Sequence, residues 1–190
     1  MVVAHTTDTL HRLKTEALSL DEALAICDSL EAVSVDFMIG RWRGSEVRTN
    51  HPYVGVLERS GWYGKLFLDE NNVHPLIFYK NDHALFSVNP SRIAAGIDLP
   101  IDYNKLPNLR PTMPFLSPLL QTREGKARLR MTEYRGVVSA TMIYDALPIN
   151  DVFRKLNEGT VLGIMDRRDD TEPYFFLLER DDTKALTLDL

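Results

Sequence analysis

Residues 36–44 read DFMIGRWRG, a tryptophan set between two glycines and two arginines at the end of an entering β-strand. Glycine on each side of a large ring lets neighbouring backbone approach it, while Arg41 and Arg43 keep hydrogen-bonding heads beside Trp42. The grouping suits the closed end of a small β-barrel, with one indole as the plug. Either arginine can stack on Trp42 or cap nearby carbonyls, and Arg41 is also a candidate anchor for a carboxylate or enolate.

Downstream, WYGKLFLDENNVHPLIFYKNDHALFSV divides into strands at 62–68, 73–80 and 84–88. The Asn and Asp residues at 69–72 and 81–82 suit tight antiparallel turns. Strands are expected again at 127–134 and 136–145, with a last hairpin from 161–166 and 174–179. Short helices are expected at 53–58, opened by Pro52, and at 149–156, opened by Pro148 and carrying Asn150 and Asp151 at its acidic start. Upstream, 8–17 has a short helical pattern. A better helix follows, where Ser19 and Glu22 form a capping box ahead of an apolar stripe of Leu20, Ala23, Leu24, Cys27 and Leu30.

About eight strands, few helices and no alternation of strand and helix predict a mainly β chain closed into a single antiparallel barrel. Residues 1–18 read as a tail and short helix, 19–89 as the first half of the barrel and 125–180 as its second half. A polar tail is expected at 181–190. Between the halves, residues 90–124 carry prolines at 90, 100, 107, 111, 114 and 118. That density defeats both helix and central strand, yet the segment is too apolar for a solvated linker. It reads as a lid over a site or as a connector packed across the barrel.

The chain has 190 residues, 44% hydrophobic and 26% charged, which is enough for a sizeable core. Its net charge of −5 gives no electrostatic reason to bind nucleic acid or an anionic membrane. One cysteine, Cys27, cannot form an intramolecular disulfide and excludes a cysteine-rich metal site. No apolar run reaches the roughly 20 residues that span a bilayer, so a soluble, cytoplasmic protein is expected. Nucleophile-elbow, zinc-helix, P-loop and dinucleotide motifs are absent, and the five histidines show no metal-ligand spacing. The expectation is therefore no metal and no cofactor.

GRWRG at positions 40–44, then His51-Pro52, WYGK from Trp62 and Pro75-Leu76 resemble the GXWXG-domain proteins. YDALPINDVFR from Tyr144 and GIMDRR from Gly163 resemble the domain of unknown function that usually follows that domain. The resemblance spans residues 20–180 and implies a lipocalin-like, or calycin-like, barrel. Lipocalins and haem-binding nitrobindins share a related G-x-W signature. This chain lacks the disulfides of the first. It departs from the second in having Glu46 where a third glycine is expected and His83 as its last histidine.

Inside such a barrel, inward-facing polar residues mark a site. By strict alternation Tyr63 and Lys65 share one face of their strand, with Trp62 and Gly64 on the other. Lys65 on the interior can hold an anion, form an imine or act as a base; on the exterior it is a solubilising charge. His51, at a strand-to-helix junction, is a candidate general base or a cap of the next helix. Asp145 and Asp166 end apolar strands and are a candidate acid/base pair, or else bind turn amides and arginines. The catalytic candidates are thus His51, Lys65, Asp145 and Asp166. Arg41, Trp62, Tyr63, Tyr134, Tyr144 and Phe115 are the ligand-contact candidates. The leading expectation is a barrel enclosing a small, largely apolar or amphipathic molecule that bears a carboxylate or carbonyl. The alternative is a cofactor-independent isomerase, cyclase or lyase of secondary metabolism in the same cavity, and a barrel filled by its own side chains is the third. A homodimer is compatible with the sequence.

Overall fold

The structure is a computed structural model that describes residues 2–94, 105, 107–183 and 185–190, with side chains from Thr7 onward. In chain order its main elements are α1 (Val2–Thr15), α2 (Leu20–Ser29), β1 (Glu31–Ala32), α3 (Val35–Met38), β2 (Gly40–Glu46), α4 (Val56–Ser60), β3 (Trp62–Asp69), β4 (Asn72–Tyr79) and β5 (Ala84–Ser87). They continue with α5 (Met113–Leu120), β6 (Ala127–Tyr134), β7 (Val137–Tyr144), β8 (Ile149–Asn157), β9 (Thr160–Arg167), β10 (Tyr174–Arg180) and β11 (Thr187–Asp189).

Eight of these strands close on themselves. The ladder runs β4-β3-β2-β10-β9-β8-β7-β6, every neighbour antiparallel, and Val73 of β4 pairs with Ala127 of β6 to join the ends. Closure removes the exposed edges that an open sheet would carry. Beyond the ring, β5 extends β4 and is itself flanked in parallel by β11.

The barrel wall is buried on both sides over much of its circumference. Inside lie Trp42, Phe67, Leu129, Met142, Phe153, Val161, Phe176 and Leu178. Outside, α1 and α2 cover β8, β9 and β10, packing Leu13, Ala23, Ile26 and Cys27 on Val152, Leu156, Leu162, Ile164, Phe175 and Leu177. The capping box forms as expected: the Ser19 hydroxyl accepts from the Glu22 N–H, and the Glu22 carboxylate accepts from the Ser19 N–H.

The closed end is built as the opening motif suggests, but with a different arginine. Trp42 is fully buried and donates from Nε1 to the Met38 carbonyl at 2.7 Å. The guanidinium of Arg180, the cross-strand neighbour of Trp42, sits 4.2 Å from the indole centroid and donates to the carbonyls of Ile39 and Phe37. Arg41 and Arg43 alternate with Trp42 along β2 and leave the interior on the opposite face.

Five local expectations are corrected. The opening motif does not end an entering strand: Val35–Met38 is the short helix α3, and β2 begins at Gly40. Residues 149–156 are strand β8, not a helix. Ile149, Asp151 and Phe153 face the interior while Val152 and Leu156 face the helices, so burial on both sides hid the period-two pattern. A helix does form within the proline-rich segment. Pro114 lies in the first turn of α5, and the Pro114 carbonyl left free by the missing N–H of Pro118 accepts the Ser117 hydroxyl at 2.9 Å. The N-terminal helix runs Val2–Thr15, longer than the pattern at 8–17 suggested. The C-terminal residues are not a loose tail: Leu186, Leu188 and Leu190 pack on Tyr63, Leu66, Ile77 and Leu85 outside the barrel. Within the expected lid, residues 95–104 and 106 lie outside the described residues. The described part of that segment packs Ile93, Met113 and Leu120 against the interior cluster.

Candidate functional site

The site begins at a fault in β3. Its register against β4 shifts on both sides of Gly64, and Gly64 itself has φ +151°. A Cβ there would lie 2.0 Å from the Trp42 carbonyl oxygen, so only glycine permits this approach. The extra residue resets the alternation. Trp62 and Lys65 therefore both point inward, and Tyr63 points out to the C-terminal leucines. Strict alternation had paired Tyr63 with Lys65; the bulge overturns that. Close to it, Gly44 makes room for the Trp62 ring, which would meet a Cβ at 2.0 Å.

Lys65 is buried and forms an ion pair with Asp151 of β8, Nζ to Oδ2 2.7 Å. Its Nζ also donates to the Pro75 carbonyl at 3.2 Å. Three rings face the ammonium, those of Trp62 and Tyr144 at 5.7 Å and that of Phe176 at 5.0 Å, all within cation–π range. Burial pushes the Lys65 ammonium down in pKa, with Asp151 opposing the shift. Burial likewise pushes the Asp151 carboxyl up, with Lys65 opposing. Burial, reinforced by the Asp151 charge, holds the Tyr144 phenol protonated well past its ordinary range.

Two buried polar atoms of this cluster have no hydrogen-bond partner among the described residues: Asp151 Oδ1 and Trp62 Nε1. One is an acceptor and the other a donor. Interior groups of this kind are almost always paired, so their exposure to nothing is chemically informative. Accessibility points the same way. Trp62, Leu76, Tyr144 and Ile149 keep 6–8% of their surface, whereas Trp42, Phe67 and Phe153 keep none. Trp62 opens β3, Ile149 opens β8 and Tyr144 closes β7, strand ends that share one mouth of the antiparallel barrel, opposite the Trp42 plug.

Lys65, Trp62 and Tyr144 are therefore brought together. The other expected residues are dispersed. Arg41 pairs with Asp181 at 2.8 Å and donates to the Leu186 carbonyl, and the Tyr63 hydroxyl donates to the same Asp181; this network fastens the C-terminal strand outside the barrel. Asp145 is exposed and paired with Arg128 at 2.6 Å. Asp166 is exposed near the end of β9, and Tyr134 is half-buried beside the outer helical layer. Phe115 is 85% exposed on α5. Asp151 was missed because its segment read as a helix start. One acidic residue between Ile149 and Phe153, taken at period two, is the signal that finds it.

His51 is buried at the barrel rim and its Nδ1 accepts from the Tyr53 N–H at 3.2 Å, two residues on. It lines a pocket of about 410 Å³ together with Tyr53, Asp170 and Glu172. Burial pushes its pKa down against the opposing charge of Asp170, and His74, bonded to the Ser87 hydroxyl at 2.8 Å, is pushed down by burial and by Lys126. Both titrate at the ordinary 6.5 when unfolded. Below that pH the unfolded chain therefore binds more protons than the folded one, and stability falls as pH falls. The melting temperature should drop between about pH 7.5 and about pH 5.5, and His51→Gln with His74→Gln should flatten that slope. An unchanged slope in the double variant would assign the loss to other groups.

Fold and site together define a closed eight-stranded antiparallel barrel with a charged pair on its inner wall. The sequence places it more narrowly. Residues 25–82 match the GXWXG protein model and residues 125–180 match the domain of unknown function DUF4334, so the chain is a GXWXG-domain protein with that second domain after it. The first matched segment holds three strands of the ring, β2 to β4, and the second holds the other five, β6 to β10. A crystal structure of a protein from Thermomonospora curvata is similar, with a TM-score of 0.68 at 29% identity, covering 93% of this chain and 97% of that one. No curated protein matches the sequence. Among the described residues, no helix is long and apolar enough to cross a membrane, and no three His, Cys, Asp or Glu side chains are grouped to hold a metal ion.

Proposed function

We propose that this barrel binds a small, largely apolar molecule bearing a carbonyl or carboxylate, held against Lys65, Asp151 and Trp62. The observation that carries the reading is the unpaired donor and acceptor, Trp62 Nε1 and Asp151 Oδ1, in an interior whose remaining walls are Leu76, Tyr144, Ile149, Phe176 and similar groups. A ligand oxygen accepts from the indole N–H and the Lys65 ammonium. A ligand hydroxyl, where present, donates to Asp151. The apolar body supplies affinity through burial, and these few polar contacts supply orientation.

Native mass spectrometry of protein purified from its own host is the direct test, with one bound small molecule per chain as the expected result. Trp62→Phe keeps an aromatic face and removes the N–H, and should weaken retention of that molecule about tenfold, the worth of one buried hydrogen bond to a charged or polar partner. Protein that carries nothing, with affinity for hydrophobic carbonyl compounds unchanged in Trp62→Phe, would sink the reading. The Lys65–Asp151 pair also favours a second reading, a cofactor-independent enzyme, in which these two residues rather than the rim histidine and the exposed aspartates hold the chemistry.

A further inference from the structure

Lysines on the inside of a barrel are rare because a dry ammonium is costly, and Lys65 is held there by two devices at once. Asp151 balances its charge at 2.7 Å, and three aromatic faces surround Nζ at 5.0–5.7 Å. Both devices stabilise a cation at that point without requiring that it be a primary ammonium. An iminium nitrogen, also singly charged, keeps the same carboxylate partner and the same rings. The second carboxylate oxygen, Oδ1, has no partner among the described residues and is placed to handle a proton.

Resting on the binding reading above, we propose that Lys65 forms an imine with an aldehyde or ketone ligand, with Asp151 as the proton relay. Asp151 Oδ2 takes one proton from the ammonium, and the freed Nζ lone pair forms a bond to the carbonyl carbon. The C=O π pair moves to oxygen, and a proton passes from the attacking nitrogen to that oxygen, giving a neutral carbinolamine whose nitrogen regains its lone pair. Asp151 then returns a proton to the hydroxyl, the C–O bond breaks, and water leaves. The nitrogen lone pair forms the C=N bond. In sum, the ammonium and a carbonyl become an iminium and one water, with Asp151 a carboxylate before and after. The Trp62 N–H donates to the carbonyl oxygen during attack, which explains its unpaired state. The substrate class is an apolar carbonyl compound, and the rings of Trp62, Tyr144 and Phe176 favour an aromatic or conjugated one.

The test uses the full chain with naphthaldehyde and with naphthylmethanol, the matching alcohol. With cyanoborohydride present, the aldehyde should give one reductively trapped adduct per chain, mapped by peptide mass to Lys65, at a rate at least tenfold above that of any other lysine. Lys65→Met should lose it. Asp151→Asn should slow trapping at Lys65 by tenfold or more, within the usual range for general acid–base help. Adducts confined to other lysines of wild-type protein overturn the proposal, whatever the variants do. Quenching of tryptophan fluorescence, read without reductant, separates the two readings. Binding of both naphthyl compounds without trapping at Lys65 overturns the imine and leaves the binding barrel standing. Absence of any binding overturns both.

Discussion

Asp151→Ala lowers the unfolding free energy by about 3–5 kcal/mol, because it strands the Lys65 ammonium in an interior that offers it only the Pro75 carbonyl and three ring faces. Removing both charges is far milder. Lys65→Met with Asp151→Leu fills similar volume with apolar atoms, and should recover most of the loss or exceed the wild type, since a buried ion pair often contributes little over a hydrophobic replacement. Urea unfolding of the two single variants and the double variant measures this directly as a coupling energy. If Asp151→Ala costs less than about 1 kcal/mol, the pair is not the charge balance of the interior and water must reach it. A double variant that is stable but retains no ligand would separate the role of the pair in function from its role in folding.

Gly64→Ala should be the other severe change, although it adds a single methyl group. The backbone at Gly64 has φ +151°, which L side chains rarely adopt, and the new Cβ would lie 2.0 Å from the Trp42 carbonyl, an obstacle that cannot swing aside as a side chain can. Strain and overpacking each typically cost about 1–3 kcal/mol, so a loss of roughly 3 kcal/mol or more is expected. There is also a specific signature. If β3 relieves the clash by losing its bulge, the alternation reverts and either Trp62 or Lys65 turns outward. The tryptophan emission should then shift to the red and ligand retention should fall together with stability. Wild-type melting and emission in Gly64→Ala would mean that the bulge does not set the inward pair.

Most of the barrel was legible in the chain. Seven of its eight strands carried turn chemistry and apolar patterns strong enough to place them, and the glycine-flanked Trp42 marked the closed end. The eighth, β8, was hidden because Ile149 and Phe153 fill the interior while Val152 and Leu156 meet the helices, so apolar residues fall on both faces and no clean alternation is left. A preceding proline and two acidic or amide residues completed the disguise of a helix start. The leucines of the C-terminal segment show period two, but that signal carries weight only when a sheet edge such as β5 is there to receive them.

The candidate site was half legible. Lys65, Trp62 and Tyr144 could be singled out as polar or amphipathic groups in apolar strands. Which of them share the interior could not be read, since one bulge at Gly64 inverts the facing of everything on one side of it. The sequence by itself pointed to a mainly β barrel, to where most strands run and to which indole closes the base, because those features depend on local pattern and turn chemistry. Its family showed in the ordered motifs it shares with GXWXG-domain proteins. Tertiary structure alone decided that Arg180 rather than Arg41 lies on that indole, and that Lys65 meets Asp151. Each of these pairings joins strands far apart in the chain, and is set by the register of barrel closure and by a backbone approach that only glycine allows.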